Sequence, residues 1–401
     1  MTNGNKYGAG PSLLGYLYQC RLALLHTLRK TKREPGLQVA IERFDDVSFD
    51  EGYSPAERIQ TKHHTVKSGS LSDKSTDLWK TIRIWAEEIL KGDLEPETTV
   101  LSLITTSRAA TGSAAAYLRS HDRDDVTALK LLIQAAEAEN PAQENLAGYS
   151  AFKALPPADR KRLVRSIVIF DASPKITEVR ELIDEEVFYA VDPKHLTGFV
   201  DRLEGWWFRK VIVHLSQDSQ SPILGQEVYA EIHYIREQYQ AENLTIDFFD
   251  AVPLEGVDAK SDKRVFVEQL KLVAAADPRI ADAIRDYYRA FQQRSLWLRE
   301  DQLVVDELDR YEARLIEEWR RYRDRLADDI GESAGESAKI QMGRNLLNWM
   351  NFEADIPIRS RCREPYVQRG SFHILADGRK VGWHPDFLNR LQKVLTEASS
   401  K

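Results

Sequence analysis

Short apolar runs separated by turn residues mark the first hundred positions of the chain. Leu37–Ile41 and Ala56–Ile59 are too short for helices and are bounded by Gly, Pro, Asp and Ser, so they predict adjacent strands, with Val47–Phe49 as a third strand between them. Helical spacing on either side predicts two helices, and a later apolar run predicts a fourth strand: Leu13–Arg29, Asp77–Leu90 and Thr99–Thr105. The predicted order is therefore helix, three strands, helix, strand.

Helical patterns dominate the chain after Ser107. Val126–Glu139 predicts a helix, Arg165–Phe170 predicts one more strand, and Lys194–Leu215 predicts a helix that contains the aromatic run Trp206–Phe208. Three adjacent aromatic side chains cannot share one helix face, so some are expected to be buried against a second element or a partner chain; a base-stacking platform is the alternative. Amphipathic helices are predicted in the last third: Val265–Ala274, Pro278–Leu298, Asp301–Leu326 and Ile340–Met350.

The segment Tyr366–Phe387 is rich in polar and aromatic residues. Its Ala-Asp-Gly triplet predicts a tight turn between two short strands. The clustered polar residues could be mistaken for a second catalytic centre: Arg369, His373, Asp377, His384 and Asp386.

Carboxylates and a lysine lie on the strands predicted near the N-terminus. Glu42 and Asp46 supply carboxylate oxygens, the ligands that Mg²⁺ prefers. Alternation along a strand places Gln60 and Lys62 on one face, where an amide oxygen can reach the metal and an ammonium can reach a phosphate or an attacking water, while Thr61 points the other way. An edge strand with solvated polar residues is the alternative interpretation.

Basic residues follow this site closely in sequence, and we expect them to contact DNA phosphates. An ordinary charged strand end and loop is the alternative, above all for Lys67 and Lys74. His63 and His64 lack the spacing of a metal-binding pair, which favours contact with phosphate or solvent. The predicted basic contacts, besides Lys62 itself, are Arg58, His63, His64, Lys67 and Lys74.

The predicted order of helix, three strands, helix and strand, with a carboxylate before the QxK triplet, resembles the PD-(D/E)xK restriction-endonuclease superfamily. Within it, residues 1–110 resemble the double-stranded DNA endonuclease domain of bacterial anti-phage effectors, including those of cyclic-oligonucleotide (CBASS) and HerA-linked systems. Four motifs that occur in order carry this second resemblance: GYLYQ (residues 15–19), ERFDDV (42–47), IQTKHH (59–64) and LSDKSTDLWKTIRIWA (71–86). The resemblance implies a catalytic set of Asp46, Gln60 and Lys62, with Glu42 as an additional metal ligand and Gln19 bordering the site next to DNA.

Gln60 stands where most members of that superfamily carry Glu. A neutral amide binds Mg²⁺ more weakly than a carboxylate, although the subgroup shares this residue. The resemblance implies Mg²⁺ as the cofactor, with Mn²⁺ expected to substitute. The predicted fold class is α/β (α+β), a restriction-endonuclease-like N-terminal domain followed by a mainly α-helical remainder.

The segment Tyr366–Phe387 and the run LWLREDQLVVDELDRYEARLIEEWRR (residues 296–321) resemble a C-terminal domain of the ABC-three-component systems, over residues 255–390. In those systems an effector works beside an ATPase and a small middle component. The resemblance implies a coupling module whose partners are an ABC-type or HerA-type ATPase and that middle component. It favours interaction over catalysis for four residues: Trp319, Arg369, Trp383 and His384.

Composition limits these interpretations. The net charge of −7 argues against a protein that coats nucleic acid, so DNA contact must be local. Two cysteines, Cys20 and Cys362, give no disulfide framework or cysteine zinc cluster. No apolar run approaches the ~20 residues that span a bilayer, and no signal peptide is present, so we expect a cytoplasmic protein without a membrane segment. No P-loop is present either, so any ATP hydrolysis that the activity needs must come from a partner.

The expected domains are residues 1–110, 111–254 and 255–401. The leading hypothesis is an effector endonuclease that cuts DNA as an oligomer of at least two chains, because one site breaks one strand. A non-cleaving DNA-sensing adaptor that scaffolds the ATPase is the alternative, and an RNase is a third, since chemistry at backbone phosphates does not separate DNA from RNA.

Overall fold

The computed structural model describes residues 10–42, 45–50, 56–62, 69–216, 221–331 and 333–392. The chain divides into an N-terminal unit, Met1–Tyr234, and a C-terminal unit, Ile235–Lys401. It is a mixed α/β protein with mostly helical content. None of the described helices is both long enough and apolar enough to cross a membrane.

A six-stranded sheet organises the N-terminal unit. Its order is β7-β5-β3-β2-β1-β8, and a separate parallel pair joins β4 to β6. The strands are β1 (Gln38–Ile41), β2 (Val47–Asp50), β3 (Ala56–Lys62), β4 (Ser70–Leu71), β5 (Thr99–Thr105), β6 (Arg108–Ala109), β7 (Ile167–Phe170) and β8 (Ile223–Leu224). The chain turns back at β2, so β1, β2 and β3 are antiparallel neighbours, whereas β3, β5 and β7 are parallel.

Helices cover both faces of this sheet. They are α1 (Gly10–Thr31), α2 (Thr76–Lys91), α3 (Ala114–Tyr117), α4 (Asp125–Ala136), α5 (Leu146–Ala154), α6 (Pro157–Ser166), α7 (Ile176–Glu186), α8 (Leu196–Ser216) and α9 (Gly225–Gln238). Alternation along β3 distributes its side chains between the two layers: Glu57 pairs with Lys30 of α1 at 2.8 Å, and Arg58 pairs with Glu88 of α2 at 2.7 Å.

The predicted order of helix, three strands, helix and strand is confirmed from α1 to β5. The domain limit predicted at residue 110 is wrong, because the sheet and its core cross it. β5 pairs with β7 over Leu101–Ile104, and one apolar core joins α2 and β5 to α4, α5 and α6. An isolated sheet that ended at β5 would leave a ladder edge and an apolar face uncovered.

Within the described residues, the helices that lie wholly in the C-terminal unit are α10 (Val265–Leu272), α11 (Asp277–Arg299), α12 (Glu307–Ile330), α13 (Glu336–Phe352) and α14 (Pro365–Asp377). Leu244 is part of the core that these helices enclose, so the limit predicted at residue 254 is also misplaced. Gly370 allows α14 to cross α11 closely, since an added Cβ would overlap the backbone oxygen of Asp286.

The predicted hairpin around the Ala-Asp-Gly triplet is wrong, because the segment is the helix α14. Pro365 begins it at a position where a missing N–H costs nothing, and the helix ends at Asp377 with Gly378 as its C-cap. The alternation in Ser371–Ile374 imitates a strand. Most of this helix is buried, which removes the amphipathic signal that would have identified it.

Candidate functional site

Asp46 is held at the point where β2 begins beside the end of β3. Val47 is paired with Ile59, so Asp46 comes just before the paired residues of β2 and β3, and its side chain reaches the end of β3. Its Oδ2 accepts hydrogen bonds from Thr61 N at 2.7 Å and Thr61 Oγ1 at 2.9 Å. Thr61, expected to point away from the site, therefore orients its principal carboxylate.

Gln60 links the carboxylates to Lys62. Its Nε2 donates to Asp46 Oδ1 at 3.1 Å, while its Oε1 accepts from Lys62 Nζ at 3.0 Å. The prediction that Gln60 and Lys62 share a face of β3 is confirmed by this contact. The buried amide thus separates a negative group from a positive one.

Asp45 is a member of the site that the sequence analysis missed. It is 7 % exposed, and its Oδ2 accepts a hydrogen bond from Trp85 Nε1 of α2 at 2.7 Å. Its Oδ1 accepts from Gln60 Nε2, so one amide group contacts both neighbouring carboxylates. Burial, together with the negative charges of Asp46 and Glu88, raises the pKa of Asp45 to about 7. The Asp-Asp doublet was the available signal.

Glu42 follows β1 in the left-handed region, with φ of 55°. This conformation is uncommon for a residue with a Cβ and is costly by about 1–2 kcal/mol. Its N–H donates to Asp46 O at 3.1 Å, which fixes the bend. Partial desolvation and the charge of Asp46 raise the pKa of the Glu42 carboxyl, and Lys62 opposes that shift. Glu42 therefore belongs electrostatically to the same site.

Gln19, which the resemblance places at the border of the site, lies on α1. Burial first, and then the charge of Glu42, raises the pKa of the adjacent Cys20 thiol to about 11. Gln19 itself is 9 % exposed. So little accessible surface does not support the expectation that its side chain contacts DNA.

The predicted basic contacts divide into three groups. Arg58 is engaged with Glu88 at 2.7 Å and with Asp93 O at 2.9 Å, so its guanidinium anchors β3 to α2, and its assignment to DNA is corrected. Lys74 is exposed. His63, His64 and Lys67 lie outside the described residues.

The oxygen-rich donor set fits a hard divalent cation. Among the described residues, no group of three His, Cys, Asp or Glu side chains is already arranged around a metal position. However, Gln60 Nε2, a group with partial positive charge, contacts the carboxylates of both Asp45 and Asp46. Because a cation binds the same oxygens, and rotation of the amide would bring Oε1 to them, these residues can hold Mg²⁺.

Three of the residues expected to bind a partner are packing residues of the C-terminal unit. Trp319 and Trp383 are 4 % and 0 % exposed, and Trp319 Nε1 donates to Gly382 O at 3.0 Å. His384 is 1 % exposed, and its Nδ1 accepts from Asp386 N at 3.1 Å. Their assignment to a partner surface is therefore corrected. Arg369 is half-buried at the wall of a cavity.

The aromatic run on α8 behaves as the helical pattern predicted. Trp207 is buried and donates from Nε1 to Cys20 O at 2.7 Å, which fixes α8 to α1. Phe208 is 43 % exposed, and Lys210 Nζ lies 5.7 Å from the centre of the Trp206 ring. Part of the run therefore packs within the chain, and part faces solvent.

Comparison with known proteins identifies the C-terminal unit. Residues 266–391 match the family described as C-terminal domain 7 of the ABC-three component (ABC-3C) systems. The resemblance seen in the sequence for this part of the chain is thereby confirmed. No curated protein matches the chain significantly.

Solved structures give distant similarities. The Moraxella osloensis Cap4 SAVED/CARF-domain containing receptor is 15 % identical, with a TM-score of 0.35, over 65 % of this chain and 60 % of that one. The Acinetobacter baumannii Cap4 SAVED/CARF-domain containing receptor with the cyclic trinucleotide 2′3′3′-cAAA is 14 % identical, with a TM-score of 0.33, over 65 % of this chain and 57 % of that one. The chain thus spans less than two thirds of the length of these receptors.

Proposed function

We propose that the N-terminal unit is a restriction-endonuclease-like, metal-dependent nuclease that hydrolyses DNA phosphodiester bonds. In this proposal the chain is the effector of a bacterial anti-phage defence system. The observation that carries it is the convergence of Asp45, Asp46 and Lys62 on the two ends of the Gln60 amide. Metal-dependent hydrolysis of a phosphodiester uses this combination of oxygen ligands for a cation and a positively charged side chain.

The carboxylates of Asp45, Asp46 and Glu42, with the Gln60 amide oxygen, would hold Mg²⁺ or Mn²⁺. Such an ion, when bound, polarises the scissile phosphate and lowers the pKa of a coordinated water. Thr61 keeps Asp46 in position through two hydrogen bonds, and Trp85 does the same for Asp45. Because these donors belong to rigid elements, the carboxylates are pre-organised before substrate arrives.

Lys62 supplies the positive charge that faces the substrate. Its Nζ is held by Gln60 Oε1 at 3.0 Å, and its side chain is half-buried at the end of β3. Released from that amide, the ammonium can donate to a phosphate oxygen as negative charge develops there, or orient the attacking water.

The match of residues 266–391 to an ABC-three-component domain supports a coupling role for the C-terminal unit. We infer that this unit recruits an ABC-type or HerA-type ATPase and a small middle component, and that the nuclease works as an oligomer. Two sites brought together would cut both strands of a duplex.

One observation favours a second function, a non-cleaving nucleic-acid-sensing adaptor. The carboxylates of Asp45 and Asp46 accept hydrogen bonds from Gln60, Thr61 and Trp85. A site whose carboxylates are held by protein donors in this way could recognise nucleic acid without cutting it.

The test is incubation of the purified protein with a plasmid and an RNA transcript side by side, in Mg²⁺, in Mn²⁺ and in EDTA. The expected result is cutting of the plasmid in either metal and none in EDTA. Cutting of the transcript alone identifies an RNase. Binding without cutting, with and without the partner ATPase, favours the adaptor, and undiminished cutting in EDTA contradicts the metal site.

A further inference from the structure

A cavity of about 260 Å³ lies in the C-terminal unit, where α11, α13 and α14 meet. It is independent of the nuclease assignment, and no comparison assigns it a ligand. Its size lies near the lower end of small-molecule sites, which run from ~300 to ~1,000 Å³, so it suits a compact ligand. Its charged lining residues are Arg279, Asp282, Arg285, Asp286, Arg289 and Arg369.

Positive charge exceeds negative charge around this cavity. Arg285 is already paired with Asp282 at 2.6 Å. The other three guanidinium groups each donate one hydrogen bond to a neutral oxygen: Arg279 to Asn348 Oδ1 at 2.8 Å, Arg289 to Ala251 O at 2.9 Å and Arg369 to Asn351 O at 3.0 Å. With Asp286 as the remaining carboxylate, the lining has an excess of two positive charges.

The carboxylate of Asp286 is not directly paired with the guanidinium groups that surround it. Among the described residues, none forms a hydrogen bond or a close ion pair with its carboxylate, although Arg369 and Arg289 are near enough to oppose the rise in its pKa. Burial dominates and raises that pKa to about 6. A half-buried carboxylate beside guanidinium groups, but not paired with them, leaves room for a ligand that donates to the carboxylate and accepts from the guanidinium groups.

His373 adds a buried neutral group to the same lining. It is 1 % exposed, and its Nδ1 has no hydrogen-bond partner in the part of the chain that the structure describes. Burial lowers its pKa to about 3, so the imidazole is neutral near pH 7. Buried polar atoms are almost always satisfied, and a ligand or ordered water in the cavity would satisfy this one.

We propose that this cavity binds a small phosphomonoester. A phosphomonoester carries a charge of about −1.5 to −2 near pH 7, which matches the excess of two positive charges. Planar guanidinium groups suit phosphate oxygens, and a hydroxyl or amino group of the esterified part would donate to Asp286. Phe352, on the rim, is 77 % exposed and offers a ring on which a nucleobase could stack.

Isothermal titration calorimetry on the full chain tests the proposal with four probes: inorganic phosphate, ribose 5-phosphate, adenosine 5′-monophosphate and glutamate. The phosphate-bearing probes should bind and glutamate should not. Tightest binding of the nucleotide identifies Phe352 as a base platform, whereas equal affinity for all three phosphates identifies a free phosphate site. Absence of binding by every phosphate, or equal binding of glutamate, overturns the proposal.

Two substitutions with opposite expected effects on phosphate affinity locate the site. Arg289→Gln should weaken phosphate binding by at least about tenfold, because one charge-assisted contact is lost. Asp286→Asn should tighten the binding of inorganic phosphate, which has no esterified part to donate to this side chain, since the substitution removes a repelling carboxylate. Arg321→Gln, which removes an exposed charge on α12, is the matched control and should leave affinity unchanged. If Arg289→Gln does not fold, Asp286→Asn still decides, because unchanged or weaker binding overturns the assignment.

Discussion

Gln60 keeps a further negative charge out of the candidate site. Its amide donates to two carboxylates through Nε2 and accepts from Lys62 through Oε1. A glutamate at this position could not donate to Asp45 or Asp46, and it would place a third carboxylate beside them. We therefore expect the glutamine to stabilise the protein without bound metal and to weaken its affinity for metal.

Gln60→Glu should consequently lower the melting temperature without metal and increase the stabilisation that Mg²⁺ provides. In EDTA the melting temperature should fall, because a neutral donor is replaced by a like charge, and the stabilisation on adding Mg²⁺ should exceed that of the parent. Differential scanning fluorimetry with and without Mg²⁺ measures both. Gln134→Glu, at an exposed position on α4, is the control. A Gln60→Glu protein that responds to Mg²⁺ no more than the parent would argue against this metal site.

His373 makes the C-terminal unit sensitive to acid. Its pKa is about 3 in the folded protein and about 6.5 when unfolded, so below pH 6.5 the unfolded state binds a proton that the folded state does not. Its contribution to stability is therefore lost as the pH falls from 6.5 towards 3. Asp286, with a pKa of about 6, acts in the opposite direction within part of this range, so only a comparison with a variant isolates His373.

His373→Asn should be less stable than the parent at pH 7.5, because packing against Phe266 and Trp383 is lost. At pH 5 the difference should shrink by about 2 kcal/mol, since the variant has no imidazole to protonate on unfolding. Urea unfolding followed by near-UV circular dichroism at the two pH values measures the difference. A difference in stability between parent and variant that is equal at both pH values would show that His373 is protonated in the folded protein as readily as in the unfolded one.

At the scale of elements, α11 and α14 cross closely at Gly370. An added Cβ would overlap Asp286 O and the Cβ of Ala290, and neither helix backbone can move without disturbing the core. Gly370→Ala should lower the free energy of unfolding by about 1–3 kcal/mol, because overpacking outweighs the ~1 kcal/mol gain in helix propensity.

Thermal unfolding of Gly370→Ala beside Gly15→Ala measures this cost. Gly15 lies inside α1 with no atom within 4 Å of an added Cβ, so its substitution removes the same helix-interior backbone freedom without a clash. We expect a clear loss of melting temperature for the first variant only. Equal melting temperatures for both would mean that the two helices do not cross as closely as described.

The sequence predicts the elements whose signals are local. The apolar runs flanked by turn residues give β1, β2, β3 and β5 within three residues, and Gln60 and Lys62 share a face because strand alternation requires it. Features that depend on distant partners escaped prediction. Arg58 meets Glu88 thirty residues away, and Trp85 reaches Asp45 across forty, so neither contact has a signature in a single sequence.

The errors at the element scale have one physical cause. The Ala-Asp-Gly triplet imitates a hairpin turn, yet burial of α14 on most of its surface determines a helix. In the same way, Asp45 joins the site through Gln60 and Trp85, partners distant in sequence that no local pattern indicates. Tertiary packing overrides local pattern at both positions.

At the scale of the whole molecule, the chain combines a sheet unit that carries the candidate nuclease site with a helical unit that matches an ABC-three-component domain. The net charge of −7 is consistent with DNA contact limited to one surface. The central claim is that the first unit cuts phosphodiester bonds by means of Lys62 and its neighbouring carboxylates.

The most direct test is the rate at which the full chain converts supercoiled plasmid to nicked and linear forms in Mg²⁺, with and without the co-expressed partner ATPase. Lys62→Met should reduce the rate by at least about 10²-fold, as expected for the loss of one positioned electrostatic stabiliser. Lys161→Met, which removes an exposed ammonium on α6, should cut like the parent. Equal rates for Lys62→Met and the parent, or no Mg²⁺-dependent cutting by the parent under either condition, would contradict the account.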